Sequence, residues 1–170
     1  MGYTSYLEKY EIIRVTPTLN NGVAYQAGDV MFTATEIPNA VRENGGCSKI
    51  VRCYLMDQDR ETYDCQLIFT EKNTALGTIN ETANISDEDM EAIGFCGVYL
   101  IQTDAAQIGL IDNTKIMAAQ ELSGEDESVN PFLIQAESGS TSVYVSGIIV
   151  TGTPTFTAAD DIDIILHIEK

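Results

Sequence analysis

Residues 84–94 have the sequence NISDEDMEAIG, and this is the only stretch of the chain in which a helix has both a start and a stop signal. The hydroxyl of Ser86 can accept the backbone N–H three residues on, and the three acidic residues that follow suit the positive end of the helix dipole. Gly94 can adopt the left-handed conformation that ends a helix. The sequence therefore predicts one short helix over residues 86–93. Three apolar residues are expected to face the core: Ile85, which precedes the helix, and Met90 and Ile93, which lie within it.

The remainder of the sequence consists of short apolar runs separated by turn residues, which is typical of β-strands. The runs lie at residues 10–16, 29–34, 48–57, 64–71, 95–101, 132–136, 142–151 and 162–168. Residues 115–120 are ambiguous between strand and helix. Because there is no strand–helix–strand alternation, a parallel sheet is not expected. The predicted fold class is all-β: one antiparallel β-sandwich, or jelly roll, with a single short helix.

Three of these runs carry more specific expectations. In residues 48–57 the apolar alternation places Val51, and the residues in phase with it, on the face that should point inward. The polar residues 57–60 have the composition of a turn, so the runs on either side are expected to form a hairpin-like unit. The continuous apolar run 95–101 (FCGVYLI) predicts a central strand that is buried on both faces.

The size of the chain and its hydrophobic content indicate one domain. It has 170 residues, and 44% of them are hydrophobic, which is sufficient for a core. No repeat and no shift of composition marks a second unit. We expect residues 1–9 to form an N-terminal arm and residues 10–170 to form the sandwich. No apolar run approaches the ~20 residues of a membrane helix, and no apolar signal region begins the chain, so a soluble protein is expected.

The charge of the chain is strongly negative. Nine basic and 26 acidic residues give a formal charge of −17 and an isoelectric point near 4.1. The basic residues are scattered along the sequence and are never adjacent. A nucleic-acid-binding protein needs a basic face to neutralise phosphates, and an anionic membrane repels an acidic protein. Neither nucleic acid nor a membrane is therefore an expected partner. Acidity of this kind keeps a protein soluble and limits its self-association.

The four cysteines show no C-x-x-C spacing, and three of them lie among apolar strand residues: Cys53, Cys65 and Cys96. Buried, reduced thiols are therefore expected rather than disulfides. The sequence does not decide whether Cys47 and Cys53 form a disulfide.

Few residues suit catalysis or metal binding. The single histidine, His167, lies in an apolar strand near the C-terminus, where such a residue is more often packed or exposed than a general base. One histidine and four separated cysteines do not supply a zinc site. Residues 57–59 (DQD) resemble the start of a calcium loop, but Thr62 and Ile68 replace the required glycine and glutamate. We expect no enzyme activity, no metal and no cofactor.

An interface is a better expectation for the tyrosine-rich N-terminal part of the chain. Tyrosine is enriched at interfaces because it buries a large area at little cost in side-chain entropy. The chain has no tryptophan, which counts against a glycan-stacking site. The N-terminal arm could dock on a neighbouring subunit or lie on its own domain. The candidate interface residues are Tyr3, Tyr6, Tyr10 and Tyr25.

Three groups of residues resemble segments of structural proteins from the heads of tailed bacteriophages. They are 24–32 (AYQAGDVMF) with 35–41 (TEIPNAV) and Gly45-Gly46; 76–80 (LGTIN) leading into 85–89 (ISDED); and 137–145 (ESGSTSVYV) with 152–157 (GTPTFT). Together they extend from about residue 24 to residue 166. The chain thereby resembles the auxiliary, decoration or cement proteins that lie on the capsid exterior beside the major capsid protein.

The resemblance implies a non-enzymatic virion protein, made in the host cytoplasm, that binds the major capsid protein outside the head and stabilises the shell. It implies a homo-oligomer, most simply a trimer at local three-fold axes, whose edge strands and N-terminal arm make the contacts. An alternative is a receptor- or glycan-binding module of a head fibre or tail, acting through loops 44–47 and 123–130. A third reading is an enzyme built on carboxylates such as Asp57.

Overall fold

A computed structural model describes residues 9–102, 112–121 and 132–170. These residues form two antiparallel sheets packed face to face, with one short helix, so the predicted all-β sandwich is confirmed. The elements are β1 Tyr10–Val15, β2 Val30–Ile37, β3 Cys47–Asp57, β4 Tyr63–Thr70, α1 Asp87–Ala92, β5 Phe95–Gln102, β6 Lys115–Ala118, β7 Gln120–Glu121, β8 Phe132–Gln135, β9 Val143–Gly152 and β10 Ile162–Glu169.

Consecutive strands lie in opposite sheets, except that β4 and β5 both belong to the second sheet. The first sheet has the order β1-β10-β3-β6, and β8 also pairs with β3. The second sheet has the order β2-β9-β4-β5-β7. The eleven residues of β3 leave room for two neighbours on one side, because β8 pairs with its first residues and β6 with its last. The ambiguous residues 115–120 are thus extended and lie in β6 and β7.

The core lies between the sheets and is built from the inward side of each strand. In β4 the residues Cys65, Leu67 and Phe69 are fully buried, as their period-two spacing predicts. Aromatic rings from both sheets meet here, since Phe132 of the first sheet packs against Phe69 and Tyr99 of the second with ring centroids 5.4 and 4.6 Å apart. The packing of these rings joins the two layers.

β3 departs from strict alternation at a bulge. Cys53 points into the core as expected, but Val51 is only half-buried and Ile50 is fully buried. The register with β10 passes from Arg52 directly to Ile50, so that Val51 is the extra residue. The prediction that Val51 faces inward is therefore wrong, because the bulge moves the inward position to Ile50.

The connection from β3 to β4 crosses from the first sheet to the second. The two strands do not pair, so the hairpin-like unit expected around residues 57–60 is wrong. The buried carboxylate of Asp57 holds this crossing, because it accepts the backbone N–H groups of Asp59, Arg60 and Glu61 at 2.9, 2.9 and 3.0 Å. The chain therefore turns sharply at the end of β3 and enters the opposite layer.

β5 is not buried on both faces, contrary to the prediction. Tyr99 and Ile101 point into the core, but Val98 and Leu100, which alternate with them, are half-buried. Phe95 is 53% exposed. The strand lies one position from the edge of its sheet, next to the two-residue β7. A continuous apolar run does not by itself distinguish such a strand from a central one.

The helix α1 begins and ends where the sequence predicts. The hydroxyl of Ser86 accepts the backbone N–H of Asp89 at 3.1 Å, and Gly94 has φ = +69°. Met90 is 38% exposed, so its predicted place in the core is wrong. None of the six helical residues is buried, and the ammonium group of Lys72 donates to the carbonyl oxygen of Ala92 at 2.7 Å. Within the described ranges, no helix is long and apolar enough to cross a membrane.

The connection that contains α1 covers part of the second sheet. Ile85 and the fully buried Ile93 flank the helix and pack in a small apolar cluster with Val30 and Leu76. Ile68, which points out of the second sheet, packs against the same cluster. No comparable cluster of described residues lies on the outside of the first sheet. The two outer surfaces of the sandwich therefore differ.

Candidate interaction face

The tyrosines predicted as interface residues occupy different environments. Tyr3 and Tyr6 lie outside the described residues. Tyr10 is the first residue of β1, and 60% of it is exposed. Its ring lies beside the ammonium group of Lys9, which is 5.5 Å from the ring centroid. Tyr10 is therefore accessible to a partner.

Tyr25 is a core residue, and its assignment to an interface is corrected. It is fully buried, and its ring packs edge-on against Phe156 with centroids 5.7 Å apart. Its hydroxyl donates to the carbonyl oxygen of Met31 at 3.1 Å and accepts the backbone N–H of Asn20 at 2.7 Å. Both hydrogen-bonding functions are thus used inside the domain, and burial raises the pKa of this hydroxyl.

The three most exposed large hydrophobic side chains among the described residues all point out of the first sheet. They are Tyr10 at 60%, Ile12 at 66% and Leu133 at 67% exposure. Ile12 alternates with buried residues of β1, and Leu133 precedes the buried Ile134 of β8, so each points away from the core. Exposed apolar residues that share one surface mark an interaction site more often than scattered ones do.

Strand register places these residues together with charged ones. One row across four strands joins Tyr10, Glu169, Lys49 and Leu133, and a second row joins Ile12, His167 and Arg52. We call this surface the outer face. It comprises Tyr10, Ile12, Arg14, Lys49, Arg52, Tyr54, Leu133, Asp163, Ile165, His167 and Glu169.

The outer face is positive, although the protein is acidic. Three of the nine basic residues belong to it, and a fourth, Lys9, forms an ion pair with Glu169. Asp163 and Glu169 are its only acidic members, so these charges give the outer face together with Lys9 a formal charge of +2. The remaining residues of the chain then carry −19. Basic residues that are separated in the sequence are therefore brought together by the fold.

Two of these cations are already paired, and two are not. The pair between Lys9 and Glu169 raises the pKa of the ammonium group and lowers that of the carboxyl group. Arg14 lies 3.9 Å from a carboxylate oxygen of Asp163. Lys49 lies opposite Glu169 in register and helps to lower the pKa of its carboxyl group, but neither Lys49 nor Arg52 lies within ion-pair distance of a described carboxylate. These two side chains are therefore available to carboxylates of another molecule.

His167 lies near the middle of the outer face. Its ring packs edge-on against Tyr54 with centroids 5.6 Å apart, and its neighbours in register are Ile12 and Arg52. Among the described residues, its imidazole makes no hydrogen bond to a carboxylate that would orient it as a general base. The arrangement suits a contact surface.

The carboxylates at the end of the sandwich support turns. Besides the three bonds to Asp57, an oxygen of Asp59 accepts the backbone N–H of Thr157 at 2.6 Å, and Asp161 accepts that of Ala158 at 2.5 Å. Burial, and then the neighbouring Asp59, raise the pKa of Asp161. In the part of the chain that the structure describes, no group of three or more His, Cys, Asp or Glu residues could hold a metal ion.

The four cysteines are free thiols. Cys53 and Cys65 are fully buried, as predicted, and burial raises the pKa of both thiols. Cys96 is half-buried, whereas Cys47 is exposed. The pair left open in the sequence, Cys47 and Cys53, is not a disulfide, because only the second points into the core.

Of the two loops considered for receptor binding, only loop 44–47 lies among the described residues. Loop 44–47 is held by a bond from the backbone N–H of Gly45 to the carbonyl oxygen of Ser140 at 2.9 Å. Loop 123–130 lies outside the described residues.

No known protein family matches the sequence, and no curated protein matches it. The outer face is therefore the feature on which a functional proposal depends.

Proposed function

We propose that the chain is a decoration protein of a tailed bacteriophage, which binds the outside of the head and stabilises the shell. The observation that carries this proposal is the apolar and basic outer face on an otherwise acidic sandwich. The phage context comes from the resemblance of residues 24–166 to auxiliary head proteins. The proposed partner is the major capsid protein.

The composition of the outer face suits a protein interface. Aromatic and arginine residues are enriched at interfaces, and here Tyr10, Tyr54 and Arg52 lie beside the exposed Ile12 and Leu133. In the first row the charged residues Glu169 and Lys49 lie between Tyr10 and Leu133. A partner could therefore bury apolar area and satisfy charges in the same contact.

The described residues favour binding over catalysis. The single histidine packs on a tyrosine, the buried thiols are inert at neutral pH, and the carboxylates at the sandwich end hold backbone N–H groups. None of these residues combines a nucleophile with an adjacent base. We therefore propose a structural, non-enzymatic role.

Symmetric repetition would make modest contacts effective. A decoration protein that forms a trimer at a local three-fold axis engages three sites at once, and each added contact acts at a high effective concentration. Lys9 directly precedes β1 at the edge of the first sheet, so the N-terminal arm joins the sandwich beside the outer face. The arm is the proposed contact between copies of the chain, and the outer face is the proposed contact with the major capsid protein.

Electron cryomicroscopy of the virion tests this proposal. We expect density for the sandwich on the outer surface of the head, and its loss from particles made without the gene. Particles without the protein should also release their DNA at a lower temperature. Density confined to the tail or to the inside of the shell would refute the proposal, as would wild-type virions that do not carry the protein on their outer surface.

A further inference from the structure

We infer that the outer face docks onto an acidic, partly apolar patch of a partner protein. Lys49 and Arg52 pair with carboxylates of that patch, and Ile12 and Leu133 supply the apolar contact. The inference rests on the proposed function only for the identity of the partner, which is then the major capsid protein. The chemistry of the docking site is argued from the outer face alone.

The positions of the residues set the size of the docking patch. Adjacent strands lie ~5 Å apart, so the row from Tyr10 to Leu133, which crosses four strands, spans ~15 Å. Lys49 lies within that row, and Arg52 lies in the next row of outward residues along β3. Lys49 therefore lies between the exposed Tyr10 and Leu133, and Arg52 lies in the row that contains Ile12, so a partner that covers these apolar side chains would exclude water from both cations. Exclusion of water strengthens their pairing with carboxylates.

The charge distribution favours carboxylates as the partner groups. The outer face carries +2 together with Lys9, while the remaining residues carry −19. An arginine can bind a carboxylate through two parallel hydrogen bonds, which fixes the orientation of the partner as well as attracting it. A basic partner patch would instead leave Lys49 and Arg52 facing like charge.

A second copy of the chain fits the outer face less well. Two outer faces have the same sign of charge, so they repel each other when they meet face to face. Binding of the outer face to the acidic surface of another copy brings two strongly negative bodies together. A partner whose acidic groups are confined to one patch avoids this repulsion.

Nucleic acid also fits less well. Two cations without an ion pair neutralise few phosphates, so binding of a nucleic acid would release few counterions. Tyr10 offers one exposed ring on which a base could stack, whereas the more exposed Leu133 and Ile12 are aliphatic and offer none. A protein surface therefore remains the favoured occupant.

The single histidine provides a direct test, because its imidazole proton signal in an NMR spectrum reports on the middle of the outer face. We expect a glutamate–tyrosine copolymer to change the chemical shift of the His167 signal, and a lysine–tyrosine copolymer, which binds the acidic remainder of the chain, to leave that chemical shift unchanged. The double variant Lys49→Glu/Arg52→Glu should weaken this response at least about tenfold. The matched control Arg42→Glu/Arg60→Glu changes the net charge equally, outside the outer face, and should respond as the wild type does.

A second experiment uses capsid shells that lack the protein and measures co-sedimentation of added wild-type and variant protein. Loss of binding in the outer-face variant alone supports both the docking site and the proposed function. If wild type and both variants bind equally, the proposed function stands and the docking inference is overturned. If no protein binds the shell but the copolymer response follows the prediction, the docking chemistry stands and the capsid assignment fails.

The same NMR measurement tests the two other candidate partners of the outer face, a second copy of the chain and nucleic acid. A His167 signal that moves with protein concentration alone would assign the outer face to a second copy, and a response to a DNA oligonucleotide would assign it to nucleic acid. Either result overturns the inference. If the charge-reversed variant does not fold by circular dichroism, Lys49→Gln/Arg52→Gln replaces it, and an unweakened response of that folded variant also overturns the inference.

Discussion

Replacing Asp57 by alanine should destabilise the sandwich by about 3 kcal/mol near neutral pH. The carboxylate of Asp57 accepts the backbone N–H groups of Asp59, Arg60 and Glu61, and alanine removes all three acceptors. An unsatisfied buried donor costs about 1–3 kcal/mol, and these donors lie in a part-buried turn where water replaces part of the loss. The crossing from β3 to β4 should therefore weaken without complete unfolding.

Asparagine at the same position separates the charge of Asp57 from its hydrogen bonds. Its one oxygen can keep the bonds to Asp59 and Arg60, which both go to the same carboxylate oxygen, whereas its amide group faces the N–H of Glu61. The variant should lose one bond, at a cost of about 1–2 kcal/mol. It also removes the ionisation of this buried group.

The pH dependence follows from that ionisation. Burial raises the pKa of Asp57 from 3.8 to about 6, against the opposing effect of the N–H donors and of Lys115. A carboxyl group whose pKa is higher in the folded protein stabilises the fold most below its unfolded pKa and loses that contribution as the pH rises through the folded value. The change amounts to about 3 kcal/mol, at 1.36 kcal/mol for each unit of pKa.

Urea unfolding of the wild type and Asp57→Asn between about pH 3.5 and about pH 7.5 measures this effect. The stability of the wild type relative to the variant should fall by about 3 kcal/mol as the pH rises from about 3.8 to about 7. Both proteins share every other titrating group, so the difference isolates Asp57. A difference that stays constant with pH, or that grows in favour of the wild type as the pH rises, would refute the reasoning.

Three further changes to the chain test other parts of the fold. Deletion of Val51 should leave a folded protein whose free energy of unfolding falls by less than about 2 kcal/mol, because the remaining residues of β3 then alternate without a bulge. Deletion of Tyr54 should unfold the protein, and equal effects of the two deletions would contradict the register. Ser86→Ala should speed hydrogen exchange in α1 by about fivefold, equivalent to a cap of ~1 kcal/mol, with β4 unchanged; equal protection in both proteins would argue against the cap. Gly147→Ala should cost about 1–3 kcal/mol because a Cβ atom there meets the ring of Phe32. In a Phe32→Leu background that cost should shrink, and a double-mutant cycle without coupling would count against the contact.

The parts of the fold that could be predicted are those set by neighbouring residues. The helix follows from Ser86 and Gly94, whose capping chemistry acts within one turn, and both behave as expected. The inward residues of β4 follow from strict alternation, in which Cys65 and Leu67 share a face. Such signals require no knowledge of the partner strand.

The assignment of strands to sheets could not be predicted in the same way. The polar residues 57–60 have the same composition whether they close a hairpin or carry the chain to the other sheet. The distinction depends on the burial of Asp57, which is a property of the packed sandwich. The prediction that Tyr25 lies at an interface is wrong for a related reason. Its hydroxyl bonds to the backbone of Asn20 and Met31, and these contacts form only when the connection between β1 and β2 packs on the core.

The outer face shows how one residue of backbone register can decide the composition of a proposed interaction surface. In a regular strand Lys49 and Arg52 lie an odd number of residues apart and point to opposite faces. The extra residue Val51 brings both to the outside of the first sheet and turns Ile50 toward the core. A sequence pattern with a period of two therefore separates the two cations, while the folded strand unites them beside His167. Bulges are commonly retained where they direct a side chain toward a site, so the bulge is itself an argument that this face is used.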